Sequence, residues 1–151
     1  MKRILLICIV VCLLFGCDRA SISGLVPVSG KVLLDDKPIG GVSIVFTPQA
    51  NSTSDRVASA VTQNDGTFVL NTLGYKGGLP GNYNVILSKE TLISKVSPEE
   101  EAKMQEQGKE IPEPEHVYHI PQSYQNAATS GITITISEKG NKGVIIKLKS
   151  K

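Results

Sequence analysis

Val28-Ser29-Gly30-Lys31-Val32-Leu33-Leu34, then Asp35-Asp36-Lys37-Pro38, then Gly41-Val42-Ser43-Ile44-Val45-Phe46-Thr47 is the stretch that decides the fold. Apolar residues recur at every second position in both runs, which is the period of a half-buried strand. The four residues that follow the first run make a turn, and Pro38 fixes its own φ there. Gly40-Gly41 allows a close backbone approach before the second run begins. Pro48, which lacks an N–H, ends that run.

Reading toward the C-terminus, the same grammar repeats. Residues 57–62 form a third strand-like run. Asn64-Asp65-Gly66 is a hairpin signal leading into a fourth at 67–70. Residues 74–81, with four glycines and Pro80, read as a wide turn before a fifth strand at 83–89. Ile132-Thr133-Ile134-Thr135-Ile136 alternates strictly, and Gly140-Asn141-Lys142-Gly143 turns it back into a last run at 144–149. Seven short strands with turns at this spacing predict an all-β, antiparallel β-sandwich, one domain over 25–151. Phe46, Phe68 and Tyr83 are the large core anchors, with Val32, Ile44, Val85, Ile134 and Ile146, and the Tyr83 hydroxyl is placed to find a backbone partner.

Residues 90–130 interrupt the ladder. Ser97-Pro98-Glu99-Glu100 is a helix start, with a serine cap, proline in the first turn and acids near the positive end of the helix dipole. The helix runs to about Gln107 and stops at Gly108. Ile111-Pro112-Glu113-Pro114-Glu115 then reads as extended, proline-punctuated chain. The expectation is a partly helical, partly ordered flap between the fifth and sixth strands.

The N-terminus has a different logic. Lys2 and Arg3 precede the apolar run 4–15, which holds Cys8 and Cys12. Charged start, apolar core and small Gly16 are the layout of an export signal over 1–16. An apolar run this short rises about 18 Å as a helix, less than the roughly 30 Å of a bilayer core. Without that segment the charges balance, fourteen Lys and Arg against fourteen Asp and Glu, and one cysteine remains. A disulfide framework, a paired-cysteine redox site and a basic nucleic-acid binder are thereby excluded.

Leu14-Phe15-Gly16-Cys17 resembles the lipobox of bacterial lipoproteins, with Phe15 larger than the usual residue there. The resemblance implies cleavage before Cys17 and acyl chains on that residue, so that residues 17–24 tether the domain to a membrane of the cell envelope. Asp18 hints at the inner membrane, but inner versus outer stays open.

The body carries a second resemblance. Gly30, Pro38, Gly41 and Phe46 in the first stretch, Asp65, Gly66 and Phe68 in Thr62-Gln63-Asn64-Asp65-Gly66-Thr67-Phe68, and Gly81 and Tyr83 in Leu79-Pro80-Gly81-Asn82-Tyr83-Asn84-Val85 are similar to the carboxypeptidase regulatory-like domain. That resemblance implies a transthyretin-like (prealbumin-like) Greek-key sandwich and no reaction. The segments Ile120-Pro121-Gln122-Ser123-Tyr124 and Thr129-Ser130-Gly131-Ile132 resemble the ending of short lipoproteins of this type in planctomycete bacteria.

Candidate chemistry is sparse. His116 and His119, with Glu113 and Glu115 nearby, are the candidate ligands for zinc or copper, and no third distant ligand presents itself. Asn64-Asp65-Gly66 lacks the repeated acids of a calcium loop and reads as a turn. No serine sits in a Gly-x-Ser-x-Gly elbow. Lys147, Lys149 and Lys151 fall on one side of the last strand and guard an exposed edge. The expectation is a non-catalytic envelope protein without a cofactor, acting through protein or glycan contacts. The alternative is a ligand-binding module for carbohydrate or metal, using the 74–81 turn or the flap at 112–124, with Tyr75, Tyr118 and Tyr124 as the spare aromatics.

Overall fold

The computed structural model describes residues 22–150. Leu14, Phe15, Gly16, Cys17 and Lys151 lie outside them. The chain is mostly β, with several sheets and a small helical part.

The first sheet is built on β1 (Val28–Leu34). A hairpin joins it to β2 (Lys37–Pro38), Leu34 facing Lys37 across a loop of Asp35 and Asp36 alone. Both aspartates have positive φ, 49° and 62°, the sign at both positions that a type I′ hairpin requires. Farther back, β5 (Thr67–Val69) pairs with the same edge of β1, and β12 (Asn141–Leu148) takes the other.

The second sheet runs β11 (Thr133–Ile136), β8 (Gly81–Ser88), β3 (Ser43–Pro48), β4 (Ala58–Val61), β6 (Asn71–Thr72), β7 (Tyr75–Lys76). The two sheets share one core. Val28, Val32, Phe68, Ile146 and Leu148 come from the first, and Ile44, Phe46, Tyr83, Val85, Leu87 and Ile136 from the second. Each set sits at alternate positions of its strand, so the period-two pattern of the sequence is the pattern of burial. Phe46 and Tyr83 meet edge to face at 5.9 Å, and the Tyr83 hydroxyl donates to the Leu79 carbonyl at 2.9 Å, as expected of a buried tyrosine. Burial raises the Tyr83 pKa. Ile134 is only partly buried.

Several sequence expectations need correction. The last strand pairs with the first in parallel, Lys31 opposite Ile145 and Val32 opposite Ile146, so the arrangement is not wholly antiparallel. The turn after β11 closes at Ser137 and Gly140 and carries the chain across to the other sheet, where β12 enters beside the start of β1. Asn64-Asp65-Gly66 is likewise a turn between sheets: β4 belongs to the second and β5 to the first. Its Asp65 carboxylate accepts from Thr67 Oγ1 at 2.6 Å and Thr67 N at 3.0 Å, which holds its pKa below the usual value. The segment 74–81 is no wide turn. Leu73 and Gly74 form a tight loop between β6 and β7, and Gly78 bridges to Val26 while packing near Leu70, Ile136 and Val28. Seven strands were expected and twelve are present among the described residues, the additions being short.

The motif glycines mesh two loops. A Cβ on Gly30 would strike the Val144 carbonyl and the Phe68 ring, and one on Gly66 would stand 2.7 Å from the Val32 carbonyl. Val32 N in turn donates to the Gly66 carbonyl at 2.9 Å. A Cβ on Gly40 would likewise stand 2.7 Å from the Asn64 backbone. The spacing of these residues records the docking of the 63–66 turn on β1 and its hairpin.

Candidate interaction surface

The interruption at 90–130 divides into two parts that behave oppositely. β9 (Glu90–Ile93) continues the line of β8, and β10 (Glu115–Tyr118) runs back along it. His119 N donates to the Lys89 carbonyl at 2.9 Å, and β11 resumes the same antiparallel course against β8. The result is one long hairpin whose outer third leaves the sheet. Between its halves, Ile86, Leu87 and Ser88 on one strand stand opposite the whole of 120–131 on the other, so that stretch must bulge.

The bulge plugs the body. Ile120 is 2% exposed and belongs to the core, and Tyr124 packs against it. The Tyr124 hydroxyl accepts from Lys149 N at 3.0 Å, tying the 3₁₀ turn Gln122–Gln125 to the end of β12. A short helix, α2 (Ala127–Ser130), is capped by the Asn126 side chain and packs on β8. The expected flap is therefore partly core.

The rest is an arm. All four residues of β9 are exposed, Leu92 at 56% and Ile93 at 51%, and Tyr118 on β10 at 40%. At its far end lies α1 (Pro98–Glu106), which buries no residue. Ser97 and Glu100 form a reciprocal capping box: Ser97 N donates to the Glu100 carboxylate at 3.0 Å, and Glu100 N donates to Ser97 Oγ at 3.3 Å. The bond from Ser97 N, with another to the same carboxylate from Ser97 Oγ at 3.0 Å, lowers the Glu100 pKa. Gly108, at φ 63°, follows the C-cap Gln107.

Register decides what the histidines do. His116 and His119 lie an odd number of residues apart along an extended segment, so they point to opposite faces. His116 Nδ1 lies 3.3 Å from Glu90 Oε2 and its ring stacks on Tyr118 with centroids 6.1 Å apart. His119 Nε2 instead meets Thr91 Oγ1 at 2.8 Å. On a helix the same spacing would have put both on one face. Among the described residues no three His, Cys, Asp or Glu side chains gather as a metal site. The spare tyrosines do not form a platform either: Tyr124 is packed against the core, Tyr75 lies on β7 and Tyr118 on the arm.

Charge separates the arm from the body. Residues 90–115 hold eight glutamates and three lysines, a net of −5. Residues 22–89 with 116–150 hold nine Lys and Arg against five Asp and Glu, a net of +4. The balanced total conceals this polarity.

Two of the sheet edges differ as well. β12 is the edge of the first sheet, and it is blunted. Lys142 and Gly143 together face Ser29 in a bulge, with Gly143 at φ 75°. Lys147 and Lys149 sit 3.0 and 3.7 Å from the Asp36 carboxylate on the β1–β2 turn. The Lys147 hydrogen bond, then its charge, lowers the Asp36 pKa, and Ser150 does the same to Asp35. Lysines and bulges are what keep an edge from pairing with another chain. β9 and β10 have neither within their four-residue spans.

Two surface hollows open on the body. One of about 540 Å³ lies where the N-terminal segment enters, among Leu25, Ser54, Asp55, Leu79 and Glu138. Another, of about 460 Å³, lies on the outer face of the first sheet, among Lys31, Phe68, Val69, Gly143 and Ile145. No helix among the described residues is long and apolar enough to cross a membrane. No family model, curated protein or solved structure matches this chain.

Proposed function

We propose that this protein is a non-catalytic, lipid-anchored component of the bacterial cell envelope: a transthyretin-like sandwich of the carboxypeptidase regulatory-like kind that holds a recognition arm away from its membrane. The observation that carries the reading is the placement of the two ends. The N-terminal segment meets the body at Val26, which bridges to Gly78 beside the start of β1. β1 and β8 both run from that end to the other, where the arm departs after Lys89, whose Nζ donates to the Gly40 carbonyl. Seven residues of β1 span about 23 Å at ~3.3 Å per residue, so an anchor at Cys17 leaves the arm on the far side of the body.

The lipobox residues Leu14, Phe15 and Gly16 before Cys17 support the anchor. More than one acyl chain on Cys17 is what stable attachment needs, since a single chain gives only marginal binding. Membrane attachment through those chains, with an envelope protein as partner, accounts for an arm that buries nothing of its own. The test is Cys17→Ser in cells. The reading predicts loss of acyl incorporation and retention of the uncleaved leader mass. A variant that still fractionates with membranes at the wild-type mature mass contradicts it.

A further inference from the structure

We infer that the arm recognises its partner by strand addition: β9 accepts an extended, cationic segment of another protein along its free edge. The inference rests on the reading of the arm as the recognition element, and it names the chemistry of what is recognised.

The backbone geometry supplies the template. The bond from His119 N to the Lys89 carbonyl marks that pair as hydrogen-bonded, so Thr91 with Val117 and Ile93 with Glu115 are the next such pairs. Glu90 and Leu92 therefore turn their N–H and C=O groups away from β10, toward the open edge. That edge lies in line with β3, which ends against β8 at the Ser43–Ser88 pair. A strand laid there would extend the second sheet past its present limit. β10 is the poorer template, because the chain entering it carries Pro112 and Pro114.

Two further observations specify the occupant. An isolated two-stranded ribbon is marginal in water, and this one leaves Leu92 and Ile93 exposed on opposite faces, so a third strand gains both hydrogen bonds and apolar cover. The arm's net of −5 repels a second arm and attracts a basic segment. The edge at β12, by contrast, is closed by its bulge and lysines.

The experiment uses the mature protein purified in detergent and three synthetic octapeptides: one alternating valine with lysine and threonine, one with glutamate in place of lysine, and the first one with alternate N-methylated amides. Backbone amide shifts and exchange rates are followed on titration. The expected result is saturable binding of the basic peptide, slowed exchange at Leu92, and at least tenfold weaker binding of the other two peptides. Leu92→Pro removes an outward N–H without touching the ladder to β10 and is expected to weaken binding at least tenfold. Leu92→Ala, which keeps the N–H, is expected to weaken it only a few-fold. Equal binding by wild type and Leu92→Pro overturns strand addition, as do shifts that map to β12 or to the outer face of the first sheet. A salt-sensitive dimer without peptide, formed by the arm on the basic body of a second copy, overturns the choice of occupant. None of these outcomes bears on Cys17 fractionation, so the anchor stands or falls separately.

Discussion

Residues 90–118 and 119–131 adjoin in the chain and share its least regular composition, yet one part leaves the body and the other completes it. The arm buries none of α1 or β9 and has an isolated ribbon for its only sheet. The plug places Ile120 in the core and fastens Tyr124 to the last strand. What separates them is that the plug turns Ile120 into the core, with Tyr124 packed against it, at the point where the hairpin bulges. A segment that inserts one isoleucine into the core inherits the order of the core, whereas one that caps its own helix and pairs with itself stays on the surface.

The sharpest way to break this contrast is to truncate one isoleucine in each part. Ile120→Ala should cost about 2–5 kcal/mol in urea unfolding, the range for a buried aliphatic side chain. Ile93→Ala should stay within about 0.5 kcal/mol, as exposed substitutions do. Similar losses at the two sites would mean that the arm is packed.

A smaller effect sharpens the comparison inside the arm. Ser97→Ala removes the serine half of the capping box and should weaken α1 by about 1 kcal/mol. Amide exchange at 100–103 should quicken by roughly fivefold, the factor that 1 kcal/mol represents. The urea midpoint of the whole domain should not move, because no residue of α1 is buried. A shift in that midpoint would couple the helix to the core.

The smallest effect is electrostatic and belongs to the body. Folding lowers the pKa of Asp35 and Asp36 through Ser150 and Lys147, so their contribution is present above the unfolded carboxylate pKa and is lost as pH falls through the folded value. Below about pH 4 the wild type should lose stability faster than Asp36→Asn, and the gap should shrink in salt because the pair is exposed. Parallel acid profiles for the two proteins would remove Asp36 from the account.

The body was largely legible in the sequence. Period-two runs marked the main strands, and the capping signature at Ser97 placed α1 with its proline and its stop at Gly108. What escaped has a common physical origin. Pairing partners are not encoded in periodicity, so Gly140-Asn141-Lys142-Gly143 and Asn64-Asp65-Gly66 read as ordinary hairpins although both turns change sheets. A parallel pairing of β1 with β12 joins residues more than a hundred positions apart, which no local signal reports. Ile120, between His119 and Pro121, carried no period to reveal its burial. The opposite orientation of His116 and His119 depended on whether the segment was helix or strand, and its prolines obscured that choice. The charge polarity was readable from the start, but only once the arm's limits were known.

The most direct test of the division between body and arm is to excise the arm, joining Lys89 to His119 through Asn-Gly, a two-residue loop suited to the hydrogen-bonded pair they form. The account predicts a folded protein whose urea unfolding free energy lies within about 1 kcal/mol of wild type, since no buried residue is lost. It also predicts that binding of the basic octapeptide disappears. An excised protein that unfolds, or that binds the peptide as before, would contradict it.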